Sequence, residues 1–221
     1  MKVGIIRVFT TEDPHILYEH GRLMKENHGI ETITRCIDDQ PNGIYDAASE
    51  QQAIPKIVAL AKKMEIEDGV SIITISCAAD PALEECRKAV AIPVLGAGSC
   101  GALTALMMSG QVGVLGITQD APKAIANYLG DKMIKHLTPK GVSKTTDLLT
   151  EQAAENAVAA AKELLDAGAT SILYACTGFS TIGLSKTLSQ HVNVPIIDLV
   201  DAQALAAITM MRGKAYEPKN I

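Results

Sequence analysis

Short runs of aliphatic and β-branched residues alternate with helix-forming segments along the whole of this chain. The runs lie at residues 3–9, 30–36, 70–76, 92–95, 111–117, 170–175 and 194–198. They do not alternate apolar with polar residues, which is typical of parallel strands that are buried on both faces. Strands that alternate with helices form parallel sheets through right-handed crossovers. The sequence therefore predicts an α/β fold with sheets flanked by helices.

Acidic residues stand just before several of the predicted helices. An Asp-Pro pair begins at Asp13 and another at Asp80, so that each carboxylate precedes a proline at the first helical position. Asp120 heads a similar Asp-Ala-Pro sequence, and Asp198 follows a predicted strand. We interpret Asp80 and Asp120 as helix caps, with a catalytic role as the alternative for Asp80, whereas the sequence assigns no role to Asp198.

The order of elements repeats in the two halves of the chain. The strand 70–76 leads to Cys77, then to a helix and the segment A-I-P-V-L. The strand 170–175 leads to Cys176, then to a helix and the segment V-P-I-I-D. The two cysteines are 99 positions apart, and the prolines of the two segments are 102 positions apart. We interpret this repeat as a duplication, which predicts two similar lobes.

The predicted first lobe comprises residues 1–98 and 200–221, and the second comprises residues 99–199. Cys77 belongs to the first lobe and Cys176 to the second. Ligands of parallel α/β sheets bind outside the carboxyl ends of the strands, where both cysteines are predicted to lie. A pseudo-twofold axis between the lobes would bring the thiols face to face, so we expect the active site in the cleft between the lobes.

Charge and hydropathy exclude some classes of function. The net charge of −5 and the lack of clustered lysine and arginine argue against nucleic-acid binding. Residues 89–119 contain no charged residue, but a proline and several glycines divide them into strand, helix and strand. This pattern favours a buried core over a membrane helix. The expected partner is a small-molecule substrate, and the sequence is compatible with a homo-oligomer of unspecified size.

The five cysteines follow no secretory signal, so reduced thiols and a cytoplasmic location are expected. No C-x-x-C sequence occurs and the histidines are scattered, so no metal site is predicted. Cys36, Cys86 and Cys100 lie within a predicted strand or predicted helices, and we interpret them as small core residues.

Cys77 and Cys176 differ from the other cysteines because each stands where a buried strand ends and a turn begins. Backbone N–H groups at such a place are expected to lower the pKa of a thiol and to hold a developing enolate oxygen. Opposed thiols suit inversion at carbon, since a thiolate removes a proton from one face and a thiol returns one to the other. The sequence thus predicts a racemase or epimerase that needs no cofactor.

Four segments around these cysteines carry a family resemblance: ISCAADPAL (75–83), AIPVLGAG (91–98), VGVLGIT (112–118) and ACTGFSTIG (175–183). Together they resemble the hydantoin racemase branch of the aspartate/glutamate racemase superfamily, and the resemblance covers essentially the full chain. It implies two pseudo-symmetric lobes with Cys77 and Cys176 as the acid/base residues. It also implies a substrate site lined by the following residues: Ala78, Ala79, Thr118, Thr177 and Gly178.

The chain departs from the amino acid racemases beside both cysteines. Aspartate and glutamate racemases typically have Asn-Thr after the first cysteine, where this chain has Ala78 and Ala79. Glutamate racemases place a polar helper where Gly178 stands. A free amino acid carries a carboxylate that resists further negative charge, so its racemase needs such helpers. We therefore expect a neutral cyclic amide, such as a 5-substituted hydantoin, as the substrate.

The first strand-to-helix turn also departs from its relatives. Hydantoin racemases typically begin this turn with Asn-Pro-Asn-Thr, where residues 7–10 of this chain read Arg-Val-Phe-Thr. Arg7 is a candidate ligand for a substrate carbonyl or carboxylate, and a surface salt bridge is the alternative. The sequence specifies neither the substituent of the substrate nor the preferred enantiomer.

Other functions remain open. An amino acid racemase or a maleate isomerase would keep both cysteines, whereas arylmalonate decarboxylases keep one. Residues 96–101, G-A-G-S-C-G, match the dinucleotide pattern G-x-G-x-x-G, so an NAD-dependent dehydrogenase using Gly96, Gly98 and Gly101 is a rival from another class. A non-catalytic small-molecule binding protein would need neither thiol. The family resemblance instead accounts for these glycines as a tight turn that allows close helix–strand packing. A dehydrogenase would also leave the paired cysteines unexplained.

Overall fold

The computed structural model describes residues 2–108 and 110–213, and its strands form two four-stranded sheets. The first sheet contains β1 Val3–Arg7, β2 Thr32–Cys36, β3 Ile72–Ser76 and β4 Val94–Gly96. The second contains β5 Val112–Leu115, β6 Met133–Leu137, β7 Ser171–Tyr174 and β8 Ile196–Ile197. All neighbouring strands in the two sheets are parallel, as the apolar runs predict.

The two sheets have the same topology. The first has the strand order β2-β1-β3-β4 and the second has the order β6-β5-β7-β8, so each strand has a counterpart four places later. The predicted α/β fold of two similar lobes is confirmed. Strand β6 was not predicted, because its sequence M-I-K-H-L includes two polar residues. This strand is an edge strand and is only partly buried, so it needs no continuous apolar run.

Helices cover the sheets and have the following bounds: α1 Pro14–His28, α2 Ala47–Ile66, α3 Leu83–Ala89, α4 Ala97–Met107, α5 Lys123–Leu129, α6 Glu151–Asp166, α7 Gly178–Thr181, α8 Leu184–Leu188 and α9 Leu199–Gly213. The uncharged stretch 89–119 contributes β4, α4 and β5, as predicted for a buried α/β core. In the part of the chain that the structure describes, no helix is both long enough and apolar enough to cross a bilayer.

The predicted helix caps differ in outcome. The side chain of Asp13 accepts a hydrogen bond from the N–H of His15 at 2.9 Å, so this cap is confirmed. The predicted caps at Asp80 and Asp120 are wrong. Helix α3 begins two residues after the proline with Ala82 at its N-cap, and α5 has Pro122 at its N-cap; neither has a side-chain cap.

Helix α9 connects the C-terminal end of the described chain to the first sheet. It packs against α1 and α4, and Gln203 donates hydrogen bonds to the carbonyls of Ile75 and Leu95 at 3.0 and 3.4 Å. The predicted lobe boundaries at 98/99 and 199/200 stay a prediction, and residues 214–221 of the first lobe lie outside the described residues.

Candidate active site

Two similar turns follow the central strands β3 and β7. The carbonyl of Cys77 accepts a hydrogen bond from the N–H of Asp80 at 3.1 Å. In the second sheet, the carbonyl of Cys176 accepts one from the N–H of Phe179 at 3.3 Å. Each cysteine therefore begins a turn that a hydrogen bond closes three residues later, as expected from the repeat.

The two turns line one cavity of about 340 Å³ at the carboxyl ends of the strands. Of the residues that the sequence predicts for the site, all but one line this cavity: Arg7, Cys77, Ala78, Ala79, Thr118, Cys176 and Thr177. The exception is Gly178, which lines a smaller adjoining cavity and donates its N–H to the Sγ of Cys176 at 3.3 Å. The fold thus brings both thiols to one space.

Part of the wall was not predicted. It comes from the start of α2, from the segment between β5 and the first residue of α5, and from the segment between β6 and α6. It includes several charged or polar side chains: Tyr45, Asp46, Glu50, Asp120, Lys123 and Thr145. These residues lie in loops or at the starts of helices, whose positions at the cavity depend on tertiary packing, and no local pattern marks them. Among residues 2–108 and 110–213, no three His, Cys, Asp or Glu side chains form a candidate metal site.

The surroundings of the two thiols affect their ionisation differently. Burial raises the pKa of Cys176 to about 11, while the N–H of Gly178, the hydroxyl of Thr145 and the charge of Arg7 act in the opposite direction. Burial raises the pKa of Cys77 further, with the N–H of Ala79 opposing it. The expectation of lowered pKa values is therefore wrong, because desolvation of the thiolates outweighs the N–H donors at the turns.

Arg7 is a buried residue with only 3% of its surface exposed, so the alternative of a surface salt bridge is wrong. Its Nη1 donates to the carbonyls of Ile16 and Leu17 at 2.8 and 3.3 Å, and its Nη2 donates to the hydroxyl of Thr181 at 3.3 Å. Burial lowers the pKa of Arg7 to about 10, while the nearby Cys176 acts to raise it. The guanidinium is thus a cation at neutral pH, held mainly by α1 at the cavity wall.

The carboxylate of Asp80 caps a different helix from the one predicted. It accepts hydrogen bonds from the N–H groups of Gly98 and Ser99, both at 2.7 Å, at the N-terminus of α4. A Cβ atom at Gly96 would lie 2.3 Å from the Cγ of Asp80, and one at Gly98 would lie 2.1 Å from the carbonyl oxygen of Ala78. The glycines of the G-x-G-x-x-G sequence are therefore explained by packing, and the N–H groups that would bind a phosphate are occupied by Asp80.

Asp198 makes the corresponding link in the second sheet. Its carboxylate accepts hydrogen bonds from the hydroxyls of Ser180 and Ser185 at 2.7 and 3.3 Å, and from the N–H of Val200 at 2.8 Å. It thereby joins the residues after Cys176 to the start of α9. Burial raises the pKa of Asp198 and also that of Asp80.

One buried histidine behind the turns was missed. His20 on α1 is completely buried, and its ring lies between Ser76, which precedes Cys77, and Thr177, which follows Cys176. The sequence does contain a signal for this burial, because His20 stands four residues from both Ile16 and Met24, on the apolar face of α1.

Known proteins resemble this chain in sequence pattern and in fold. A family model described as Asp/Glu/Hydantoin racemase matches residues 22–207. The allantoin racemase from Klebsiella pneumoniae has a TM-score of 0.85 at 18% identity, over 100% of this chain and 95% of that one. The allantoin racemase from Pseudomonas fluorescens has a TM-score of 0.81 at 17% identity, over 100% and 99%.

A more distant structure shares the fold. The glutamate racemase from Aquifex pyrophilus has a TM-score of 0.61 at 19% identity, over 95% of this chain and 84% of that one. No curated protein sequence matches the chain significantly. At these identities the solved structures establish the fold, and the family model establishes the family.

Proposed function

Because the chain belongs to the Asp/Glu/hydantoin racemase family of isomerases, we propose that it inverts a carbon acid by proton transfer between the substrate and two thiols, Cys77 and Cys176. The observation that carries this proposal is that both thiols, from equivalent turns of two sheets, line one cavity. A single reacting carbon between them would be accessible from both faces.

In the proposed reaction, one cysteine acts as a thiolate and the other as a thiol. The thiolate removes the proton from the stereogenic carbon, and the electron pair of that C–H bond delocalises into the adjacent carbonyl as an enolate. The thiol then donates its proton to the opposite face of the same carbon and becomes the thiolate. The opposite enantiomer reacts with the roles exchanged, so no oxidant, reductant or cofactor is consumed.

We propose a neutral cyclic amide, such as a 5-substituted hydantoin, as the substrate class. The turns offer backbone and small side chains beside the thiols, and a Cβ at Gly178 would lie 2.7 Å from the Cδ1 of Leu148 and 3.2 Å from the Sγ of Cys176. A polar helper at Gly178 would therefore have to displace the side chain of Leu148 and crowd the thiol of Cys176. The similar proteins from Klebsiella and Pseudomonas are allantoin racemases, and allantoin contains a hydantoin ring.

The charges on the cavity wall support a neutral substrate. Asp46, Glu50 and Asp120 outnumber the two cationic residues, Arg7 and Lys123. Arg7 is the feature that favours a carboxylate ligand, but three of its hydrogen bonds already go to α1 and Thr181. A dicarboxylate such as aspartate or glutamate would meet an excess of negative charge.

The experiment follows both inversion and proton exchange. Each enantiomer of a panel containing 5-substituted hydantoins, allantoin, aspartate and glutamate is incubated with the protein in deuterated buffer, and optical rotation and deuterium content are measured. We expect a higher kcat/KM for at least one hydantoin than for either amino acid. A higher value for aspartate or glutamate would overturn the substrate class. Conversion of maleate to fumarate in a parallel incubation would favour a maleate isomerase instead.

The two-thiol mechanism is tested with Cys77→Ser and Cys176→Ser. Each variant is expected to lose inversion by about 10²- to 10⁴-fold, because a serine hydroxyl is a poor base and acid at neutral pH. Cys100→Ser is the matched control, since Cys100 lies on α4 and does not line the cavity. Inversion at the unmodified rate by either cavity variant would exclude the mechanism.

A further inference from the structure

We propose that His20 is a positioning residue that fixes the separation of the two thiols by tying together the turns that carry them. This inference rests on the proposed function, because it concerns the geometry of two-thiol proton transfer. His20 does not line the cavity, so we assign it no contact with the substrate.

The hydrogen bonds of His20 join both sheets to α1. Its Nδ1 lies 2.7 Å from the Oγ of Ser76, at the end of β3. Its Nε2 lies 3.0 Å from the carbonyl oxygen of Thr177 and 2.8 Å from the Oγ1 of Thr181. Ser76 directly precedes Cys77, and Thr177 directly follows Cys176. One imidazole ring therefore connects the neighbours of both thiols.

The partners of the ring determine its tautomer. The carbonyl of Thr177 can only accept a hydrogen bond, so the Nε2 of His20 carries the proton. The Nδ1 then has a lone pair, and the hydroxyl of Ser76 donates to it. Burial holds the pKa of His20 well below its usual value, and the charge of Arg7 lowers it further. The ring is thus neutral at physiological pH and is suited to holding geometry rather than carrying protons.

Other hydrogen bonds reinforce this connection. The Oγ1 of Thr177 donates to the carbonyl of Ser76 at 3.1 Å, which joins the two turns directly. Arg7 donates to the hydroxyl of Thr181 at 3.3 Å, so its guanidinium meets the same side chain as His20 does. Removing the hydrogen bonds of His20 would leave the chain folded and the turns joined by the bond from Thr177 to Ser76, but it would loosen the position of one turn relative to the other.

The separation of the thiols affects inversion more strongly than it affects proton removal. Removal requires one thiolate near the carbon, whereas inversion also requires the second thiol to be placed on the opposite face. A misplacement of about 1 Å can reduce a rate by about 10²-fold. If the hydrogen bonds of His20 are weakened, the proton should therefore still be removed and returned on the same face of the carbon. Delivery of a proton to the opposite face should become slower.

The experiment compares His20→Gln with His20→Asn. A glutamine amide can reach the position of Nε2 and donate to Thr177, and an asparagine amide can reach the position of Nδ1 and accept from Ser76. Each variant therefore keeps the hydrogen bond to one of the two turns and loses the other. We expect kcat for inversion to fall by about 10- to 100-fold in both, with KM changed less than about threefold. His15→Gln, an exposed histidine on the same helix, is the control and should change neither constant.

The deciding measurement is the ratio of deuterium exchange with retention to inversion, for each enantiomer. We expect this ratio to rise at least severalfold in both His20 variants. A lower amount of folded protein would reduce exchange and inversion equally, so an unchanged ratio would overturn the positioning role.

A measurement without substrate separates this inference from the proposed function. The ¹⁵N resonances of the imidazole should report a neutral Nε2–H ring for His20 that does not titrate near pH 6.5, the usual pKa of a histidine. Titration near pH 6.5 would contradict a buried, neutral His20 that is hydrogen-bonded to both turns. If the unmodified protein racemises none of the panel, the proposed function fails. The resonances still show whether His20 is neutral and hydrogen-bonded as described.

Discussion

Cys77 and Cys176 occupy equivalent turns, yet their electrostatic surroundings differ. Besides burial, the negative charges of Asp80 and Glu50 raise the pKa of Cys77. Cys176 instead lies near Arg7, and the hydroxyl of Thr145 donates toward it. A cation and hydrogen-bond donors stabilise the thiolate, so Cys176 is the first of the two to ionise. The pseudo-symmetry of the backbone therefore does not extend to the protonation of the two thiols.

This difference predicts the pH dependence of alkylation at Cys176. Iodoacetamide reacts with the thiolate, and the thiolate fraction rises about tenfold per pH unit below the pKa. Since burial raises the pKa of Cys176 to about 11, the alkylation rate should keep rising from pH 7 to pH 10. In urea the same residue should level off near the free thiol value of about 8.5. Peptide mass spectrometry measures both rates, and a plateau below pH 8 in the folded protein would contradict the effect of burial.

At the scale of elements, two carboxylates connect the cysteine turns to the helices that follow β4 and β8. In the first sheet Asp80 belongs to the turn and caps α4. In the second sheet Asp198 belongs to the start of the helix and accepts from Ser180 of the turn. In both sheets a carboxylate joins a cysteine turn to the following helix, but it belongs to the turn in the first sheet and to the start of the helix in the second. Sequence reasoning assigned Asp80 to its own helix because only local partners can be read from an Asp-Pro pair.

The role of Asp80 predicts a loss of stability in Asp80→Ala. The N–H groups of Gly98 and Ser99 would lose their acceptor in a partly buried site, which costs about 1–3 kcal/mol. Asp80→Asn should lose less, because the amide oxygen still accepts one hydrogen bond and asparagine tolerates the φ of +54° found at this position. Asp13→Ala removes an exposed cap and is expected to cost about 1 kcal/mol. Urea denaturation gives all three values, and a smaller loss for Asp80→Ala than for Asp13→Ala would disprove the assignment.

Whether a strand could be predicted from the sequence depends on how deeply it is buried. The central strands β1, β3, β5 and β7 are fully buried and could be predicted, because burial on both faces requires continuous apolar runs. The edge strand β6 was missed because two of its five residues are polar. The turns that begin at Cys77 and Cys176 were identified because their sequence pattern repeats. The acidic side chains of the cavity wall, Asp46, Glu50 and Asp120, could not be predicted, because tertiary contacts bring them to the cavity.

At the scale of the whole molecule, the two sheets are not independent units. One apolar cluster contains Ala78 and Ala97, from beside the first sheet, together with Val114 and Leu173 of the second. Helix α9, which follows the last strand of the second sheet, returns to pack against α1. The buried hydrogen bond from Thr177 to Ser76 adds a polar connection between the cysteine turns. The site therefore depends on a contact surface that both sheets share.

This shared surface predicts a single cooperative unfolding transition. Two natural cysteines report on the two sheets, because Cys86 is buried in a cluster of the first and Cys176 in a cluster of the second. Brief alkylation at increasing urea concentration, read by peptide mass spectrometry, should expose both thiols at the same midpoint. Independent units would expose them at separate midpoints, since neither would gain free energy of unfolding from the other. Cys176 lines the cavity, so it can react to some extent before the protein unfolds. The alkylation rate of Cys176 without urea is therefore the baseline, and its midpoint is taken from the increase above that rate.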